Sequence, residues 1–296
     1  GGVYIGGRGL IGGGYYGNLD MIEYTTISSE GNSIDFAGDL TVGRHGLSAL
    51  AGGATSSSRG VWLGGGNNSG IDTIDYITIA NTGADALDWG AGLTEGRMYG
   101  HGCSNGVRGV KMGGSRGASY DIIDYITLAT TGACLDFGNL DVARYGTAAC
   151  ADVTKGIEAG GYPNDGANNI IQYINFASIG NAIDFNGNLL EARYFANGCS
   201  NSTRGLFWSG SAPKNTIQYI TMANTGADAQ DFGNLAADIE AGGTYASETR
   251  GVYSGGFPPV YSSLIQFVTI ASEGNASTFG NLVGGKGATL GACSGD

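Results

Sequence analysis

Basic residues, histidine and proline are scarce in this chain. It carries 14 Lys and Arg against 26 Asp and Glu, a net charge of −12, with only 2 His and 4 Pro in 296 residues. A net negative field repels phosphate backbones and anionic headgroups, so no nucleic-acid partner and no membrane surface are expected. No apolar run approaches the ~18 residues that a membrane helix needs, so membrane insertion is not expected either, and no secretory leader is recognisable. The 5 cysteines include no C-x-x-C pair and cannot all be bridged. Helical periodicity is missing too, since apolar residues nowhere recur at a 3.6 spacing over a useful length. The chain opens Gly1-Gly2-Val3 rather than on methionine, so it is expected to be part of a longer protein.

Glycine is what the chain has in excess, 57 residues spread evenly along it. Without a G-x-y period or a proline surplus, this is neither collagen nor linker. Aromatic and aliphatic residues sit between the glycines at short, regular intervals, the pattern of many short strands joined by tight turns.

The intervals repeat. The segments IEYTTIS (22–28), IDYITIA (74–80), IDYITLA (123–129), IQYINFA (171–177), IQYITMA (217–223) and IQFVTIA (265–271) align. Each is followed by a polar turn and an Asp-aromatic pair: Asp35-Phe36, Asp88-Trp89, Asp136-Phe137, Asp184-Phe185 and Asp231-Phe232, with Thr278-Phe279 as the departure. The aromatics are spaced by 53, 48, 48, 47 and 47 residues. A basic residue comes next (Arg44, Arg97, Arg144, Arg193 and Lys286, with Asp238 the exception), then a run of small residues, then R-G-h-x-h-G-G as in 59–65, 108–114, 204–210 and 250–256. Apolar residues alternate, or nearly fill, stretches of four to seven residues between turn signals, which is strand periodicity.

Each unit therefore supplies four short strands, and strands apolar on both faces must be covered on both. The predicted fold is all-β: a single domain over 1–296 forming a six-bladed β-propeller, four antiparallel strands per blade. The small-residue strand belongs innermost, where six strands crowd the axis. The ring is predicted to close by pairing of the N- and C-terminal strands. Either GGVYIGG (1–7) or RGLIGG (8–13) can lie beside ACSGD (292–296): the first puts Val3 six residues after Cys293, against seven in the intact units, and the second keeps eleven residues from Gly13 to Tyr24.

A hydrophobic strand ending Gly-Gly, then a Tyr, an aromatic in the next strand, and Leu…Arg before a small-residue strand resembles the kelch repeat. Tyr76 with Trp89, and Tyr125 with Phe137, stand at the kelch Tyr and Trp positions. The departures are Phe for Trp in five units and Phe267 for Tyr. The wording Y-I-T-I-A-x-T-G-x-A-x-D-F-G-N-L also looks like repeats of marine bacteriophage propeller proteins. Copper oxidases of the kelch architecture need two His and two Tyr around one metal. His45 and His101 are out of phase with each other, so no metal and no cofactor are expected.

Residues demanded by every blade are expected to hold blades together. That applies to both basic sets, which pair with carboxylates or cap carbonyls, and to the repeated Asp at a turn. Cys103, Cys150 and Cys199 share one phase, ten residues after Leu93, Leu140 and Leu189. Residues in one phase sit on successive blades and do not face one another at bonding distance, so buried free thiols are expected.

Specificity must then come from what varies, the segment between the Gly-Gly strand and the Y-I-T-I strand. In the kelch topology it shares a face with the loops carrying Arg44, Arg97, Arg144 and Arg193. Its candidate binding residues are Tyr15, Tyr16, Asn67, Asn68, Arg116, Tyr120, Tyr162, Asn164, Asp165, Lys214, Phe257 and Tyr261. Amphipathic aromatics beside adaptable amides suit sugar or protein recognition, although loops also drift where nothing constrains them. The expected function is a non-catalytic recognition or structural module. The phage resemblance implies a virion or tail-fibre component, outside the cell or on the virion, that meets a host-surface glycan or protein and other virion or fibre subunits. An enzyme using the central pocket and a purely architectural spacer are the alternatives.

Overall fold

The computed structural model describes residues 7–15, 17, 19–52, 59–163, 166, 168–211, 214–258, 260–287 and 292–295. Among these residues there is no helix, and 24 strands form six four-stranded antiparallel sheets. The sheets are the blades of a propeller, and their innermost strands touch in ring order. Those inner strands are Ala292–Gly295, Ser48–Gly52, His101–Ser104, Ala148–Ala151, Asn197–Ser200 and Gly243–Ala246, in blades 1 to 6. They are the small-residue runs, as predicted. Glycine is required where strands approach closely: a Cβ on Gly198 would stand 2.4 Å from the backbone oxygen of Ala149 in the next blade.

The second strands are the R-G-h-x-h segments, starting at Arg8, Arg59, Arg108, Lys155, Arg204 and Arg250. The third strands hold the Tyr motif and the outer ones the Asp-aromatic pair. In every blade these two aromatics meet edge to face, from Tyr76–Trp89 at 5.5 Å to Tyr173–Phe185 at 6.4 Å between centroids. The repeated Asp closes the bulge that follows it: Ala37, Gly90, Gly138 and Asn186 donate their N–H to Asp35, Asp88, Asp136 and Asp184.

Six apolar clusters fill the six joints between neighbouring blades, so the core is a ring of wedges. The joint between blades 1 and 2, for example, packs Leu10, Ile22 and Phe36 against Leu47, Trp62 and Ile79. Cys103, Cys150 and Cys199 are buried free thiols, pushed upward in pKa by burial, to about 12 for Cys103 and Cys199.

Closure uses the second of the two sequence registers. Arg8–Gly12 lies between Ala292–Gly295 and Met21–Thr26, with Leu10 opposite Cys293 and Tyr24. The GGVYIGG alternative falls, except for Gly7, outside the described residues. Arg8 explains the choice. Its guanidinium sits 4.9 Å over the Tyr24 ring and donates to the Ile79 carbonyl, as Arg59 does with Tyr76 and Leu128.

Candidate functional site

The repeated basic residues build the face on which the variable loops lie. Arg44 and Arg97 are wholly buried and pair with Asp75 at 2.8 Å and Asp124 at 2.7 Å. Each also donates Nε to a loop carbonyl, Gly64 or Gly113, at 2.8 Å. Lys286 pairs with Glu23. Arg144 pairs with Asp141, and Arg193 with Glu191 at 2.8 Å. Above them the variable loops are tied down by their first residues: Gly14, Gly65, Gly114, Gly161 and Gly256 donate N–H to the carbonyls of Arg44, Arg97, Arg144, Arg193 and Lys286. The two kinds of loop therefore share one face, as the resemblance to the kelch topology implies.

The chain turns into five of the inner strands with a left-handed backbone, two residues past the base in blades 2 to 5 and three past Asp238 in blade 6. Gly46, Tyr99, Gly146, Phe195 and Ala241 have φ of 63°, 60°, 64°, 50° and 54°. These five peptides are hydrogen-bonded to one another around the axis. Tyr99 N–H donates to Gly46, Gly146 to Tyr99, Phe195 to Gly146 and Ala241 to Phe195, at 2.6–3.1 Å. Glycine adopts this conformation without cost, whereas a bulky aromatic there is an outlier of about 1–3 kcal/mol. Tyr99 and Phe195 are held in it because their neighbours are small: a Cβ on Gly46 would meet the Tyr99 ring at 2.9 Å, and one on Gly146 the Phe195 ring at 3.1 Å.

The result is an aromatic basin at the loop-face end of the axis. One lobe, about 410 Å³, is lined by Tyr99, Tyr145, Tyr162 and Phe195 together with Ser115, Gly117, Ala118 and Ser119. The other, about 400 Å³, is lined by Tyr15, Tyr99, Phe195, Glu240, Ala241, Phe257 and Tyr261. Tyr99 and Phe195, 5.4 Å apart, belong to both. Tyr15 packs on His45 at 4.6 Å and Tyr261 on Phe257 at 5.2 Å. His45 faces the Tyr99 hydroxyl at 3.1 Å, and burial lowers its pKa, keeping the imidazole neutral. Burial also raises the Tyr99 and Tyr145 phenols, with neighbouring tyrosines adding to it, so both remain protonated. Among the described residues Glu240 is the only formally charged side chain lining either lobe; Ser211 donates its hydroxyl to it.

Of the twelve candidate residues, the structure gathers Tyr15, Tyr162, Phe257 and Tyr261 into this basin. Asn67 and Asn68 stand exposed at a loop tip. Arg116, also exposed, reaches Ser69 of the neighbouring loop at 3.2 Å. Tyr120 is half-buried and lines neither lobe. Lys214 is engaged at 2.7 Å with Glu191. Tyr16, Asn164 and Asp165 lie outside the described residues. Sequence reasoning missed Tyr99, Tyr145, Phe195 and Glu240. For the three aromatics the signal was the variable pair of residues after each repeated base, R-H-G, R-M-Y-G, R-Y-G and R-Y-F-A. His101 is buried on an inner strand against the Asn197 amide, and burial lowers its pKa to about 3. No cluster of three metal-ligating side chains occurs among the described residues. Comparison of the chain with protein-family models and with curated proteins found no match.

Proposed function

We propose that this propeller is a non-catalytic recognition module that takes a host-surface glycan or protein into the aromatic basin, as a component of a virion or tail fibre. The observation that carries the recognition reading is the pair Tyr99 and Phe195. A spacer would be better served by glycine at both positions, as at Gly46 and Gly146, because glycine removes the backbone strain. Instead two large rings are held there half-exposed, flanked by Tyr15, Tyr145, Tyr162, Phe257 and Tyr261. Rigid, amphipathic rings offer contact area at small entropic cost, and adaptable Asn67, Asn68 and Arg116 at the rim suit polar partners. The resemblance of the repeat wording to marine bacteriophage propeller proteins is what suggests the virion setting.

The test is the double variant Tyr99→Gly, Phe195→Gly, assayed by glycan array, adhesion to host cells and calorimetry. Relief of two strained residues offsets the lost ring packing, so the melting temperature should stay within a few degrees while binding falls at least tenfold. Unchanged binding by the folded variant would overturn the basin as the recognition site.

A further inference from the structure

We infer that the Glu240 lobe of the basin is a cage for an alkylated ammonium group, a choline-type or trimethyl-lysine-type cation carried by the surface ligand. The inference rests on the recognition reading above and names the chemistry of the group that enters. Three observations converge. The lobe is walled by the rings of Tyr15, Tyr99, Phe195, Phe257 and Tyr261, and their π faces attract a cation whose own shell is methyl groups. Among the described residues its lining has a single carboxylate, Glu240, and no Lys or Arg lines either lobe. The nearby His45 is buried behind Tyr15 and neutral, so no described side chain of the wall repels a positive charge.

A small hydrated ammonium would gain little in such a place, because apolar rings cannot replace its water shell. A trimethylammonium group holds water weakly and fits aromatic walls while its charge faces the carboxylate. The lobe, about 400 Å³, has room for that group and part of its stem. The chain's charge of −12 adds a long-range pull in the same direction. Ser211 holds one oxygen of Glu240 in place, and the backbone on either side is fixed by paired hydrogen bonds between Glu240 and Phe257. The carboxylate is thus preorganised.

The test uses the whole chain and titration calorimetry with tetramethylammonium, choline phosphate, a trimethyl-lysine peptide and 3,3-dimethylbutanol, the neutral isostere of choline. The expected result is binding of the quaternary cations at least tenfold tighter than the neutral isostere. Glu240→Gln, which can still accept the Ser211 hydrogen bond, should weaken cation binding about fivefold or more and leave the alcohol unaffected. The tighter of choline phosphate and the peptide identifies a decorated surface polymer or a methylated protein as the source. Equal binding of cation and isostere, no binding of either, or an inert Glu240→Gln would overturn the cage. Host adhesion that continues unaffected by excess tetramethylammonium would overturn the cage alone and leave the recognition reading standing. Cation binding without host adhesion would support the cage and overturn only the host-surface reading.

Discussion

At the scale of single residues, Glu158 sits in the interior on conspicuously poor terms. Neither carboxylate oxygen has a hydrogen-bond partner of good geometry among the described residues, and its nearest cation, Arg144, stands 3.9 Å from it. Burial, reinforced by the Asp141 charge, raises its pKa from 4.5 to about 7, against the opposing pull of Arg144 and Thr147. An acid whose pKa is higher in the fold than in the unfolded chain binds more protons when folded between those two values. Folding stability therefore falls as pH rises from about 4.5 to about 7, and the loss is complete above that window. In denaturant unfolding from pH 4.5 to 8 the decline should appear as a difference between two proteins: Glu158→Gln should gain stability relative to the wild type as pH rises from about 4.5 to about 7. Parallel slopes in the two proteins would mean that another group is responsible. His101 acts in the opposite sense: its pKa, lowered by burial to about 3, makes stability fall as the pH drops below 6.5. Between pH 4.5 and 6.5 the two contributions oppose each other, which is why the comparison with Glu158→Gln isolates the carboxyl.

At the scale of elements, the repeat explains its own exceptions. In all six blades the third strand presents Glu23, Asp75, Asp124, Gln172, Gln218 or Gln266 to a loop N–H, that of Val283, Thr41, Thr94, Asp141, Leu190 or Ala236. Where that acceptor is an acid, a buried base faces it. Where it is Gln172 or Gln218, the base finds Asp141 or Glu191 nearby. In blade 6, where the base is missing and Asp238 stands in its phase, the acceptor is the neutral Gln266. Charge balance within the blade thus accounts for an irregularity that the sequence alone left bare. The second basic set staples each blade to the next. Arg8, Arg59, Arg108, Arg204 and Arg250 donate to the carbonyls of Ile79, Leu128, Phe176, Ile270 and Ile27 while lying over their own blade's aromatic ring. Blade 4 has Lys155 instead, and the joint it faces holds a groove of about 290 Å³ lined by Asp152, Lys155, Ser202 and Ala223. Lys155→Arg should fill that groove, donating to the Met222 carbonyl and lying over Tyr173. One charge-assisted hydrogen bond in a partly exposed joint is worth about 1 kcal/mol, or a rise of about 2 °C in melting temperature at this chain length. A calorimetric scan showing no rise would mean that the lysine already does the same work.

At the scale of the whole molecule, strand type, strand order and the innermost position of the small residues were legible because they repeat. The site was legible only in part, because it is where the repeat breaks. Tyr15, Tyr162, Phe257 and Tyr261 could be found as aromatics in loops that differ between blades. Tyr99 and Phe195 could not, because their placement depends on a glycine in the preceding blade, 53 and 49 residues upstream at Gly46 and Gly146. The closing register was open for a related reason: both terminal segments carry the strand pattern, and only the Arg8 contacts with Tyr24 and Ile79, in blades 1 and 2, distinguish them. Closure itself is a physical demand. A propeller joint is buried only if blades stand on both sides of it, so a ring with a missing strand opens two apolar walls to water. Removing residues 291–296 would strip the inner strand from blade 1, leaving the ladder edge of Arg8–Gly12 unpaired and removing the contacts of that strand with the inner strands of blades 2 and 6. The damage should spread beyond blade 1, because the Arg250–Ile27 and Arg8–Ile79 staples both depend on that blade's position. The truncated chain should lose its single cooperative transition. Hydrogen exchange should show early opening in blades 1, 2 and 6, with protection persisting longest in blades 3 to 5. A truncated protein that melted as one unit, with exchange raised in blade 1 alone, would show that the blades stand independently and that the ring is not what holds them.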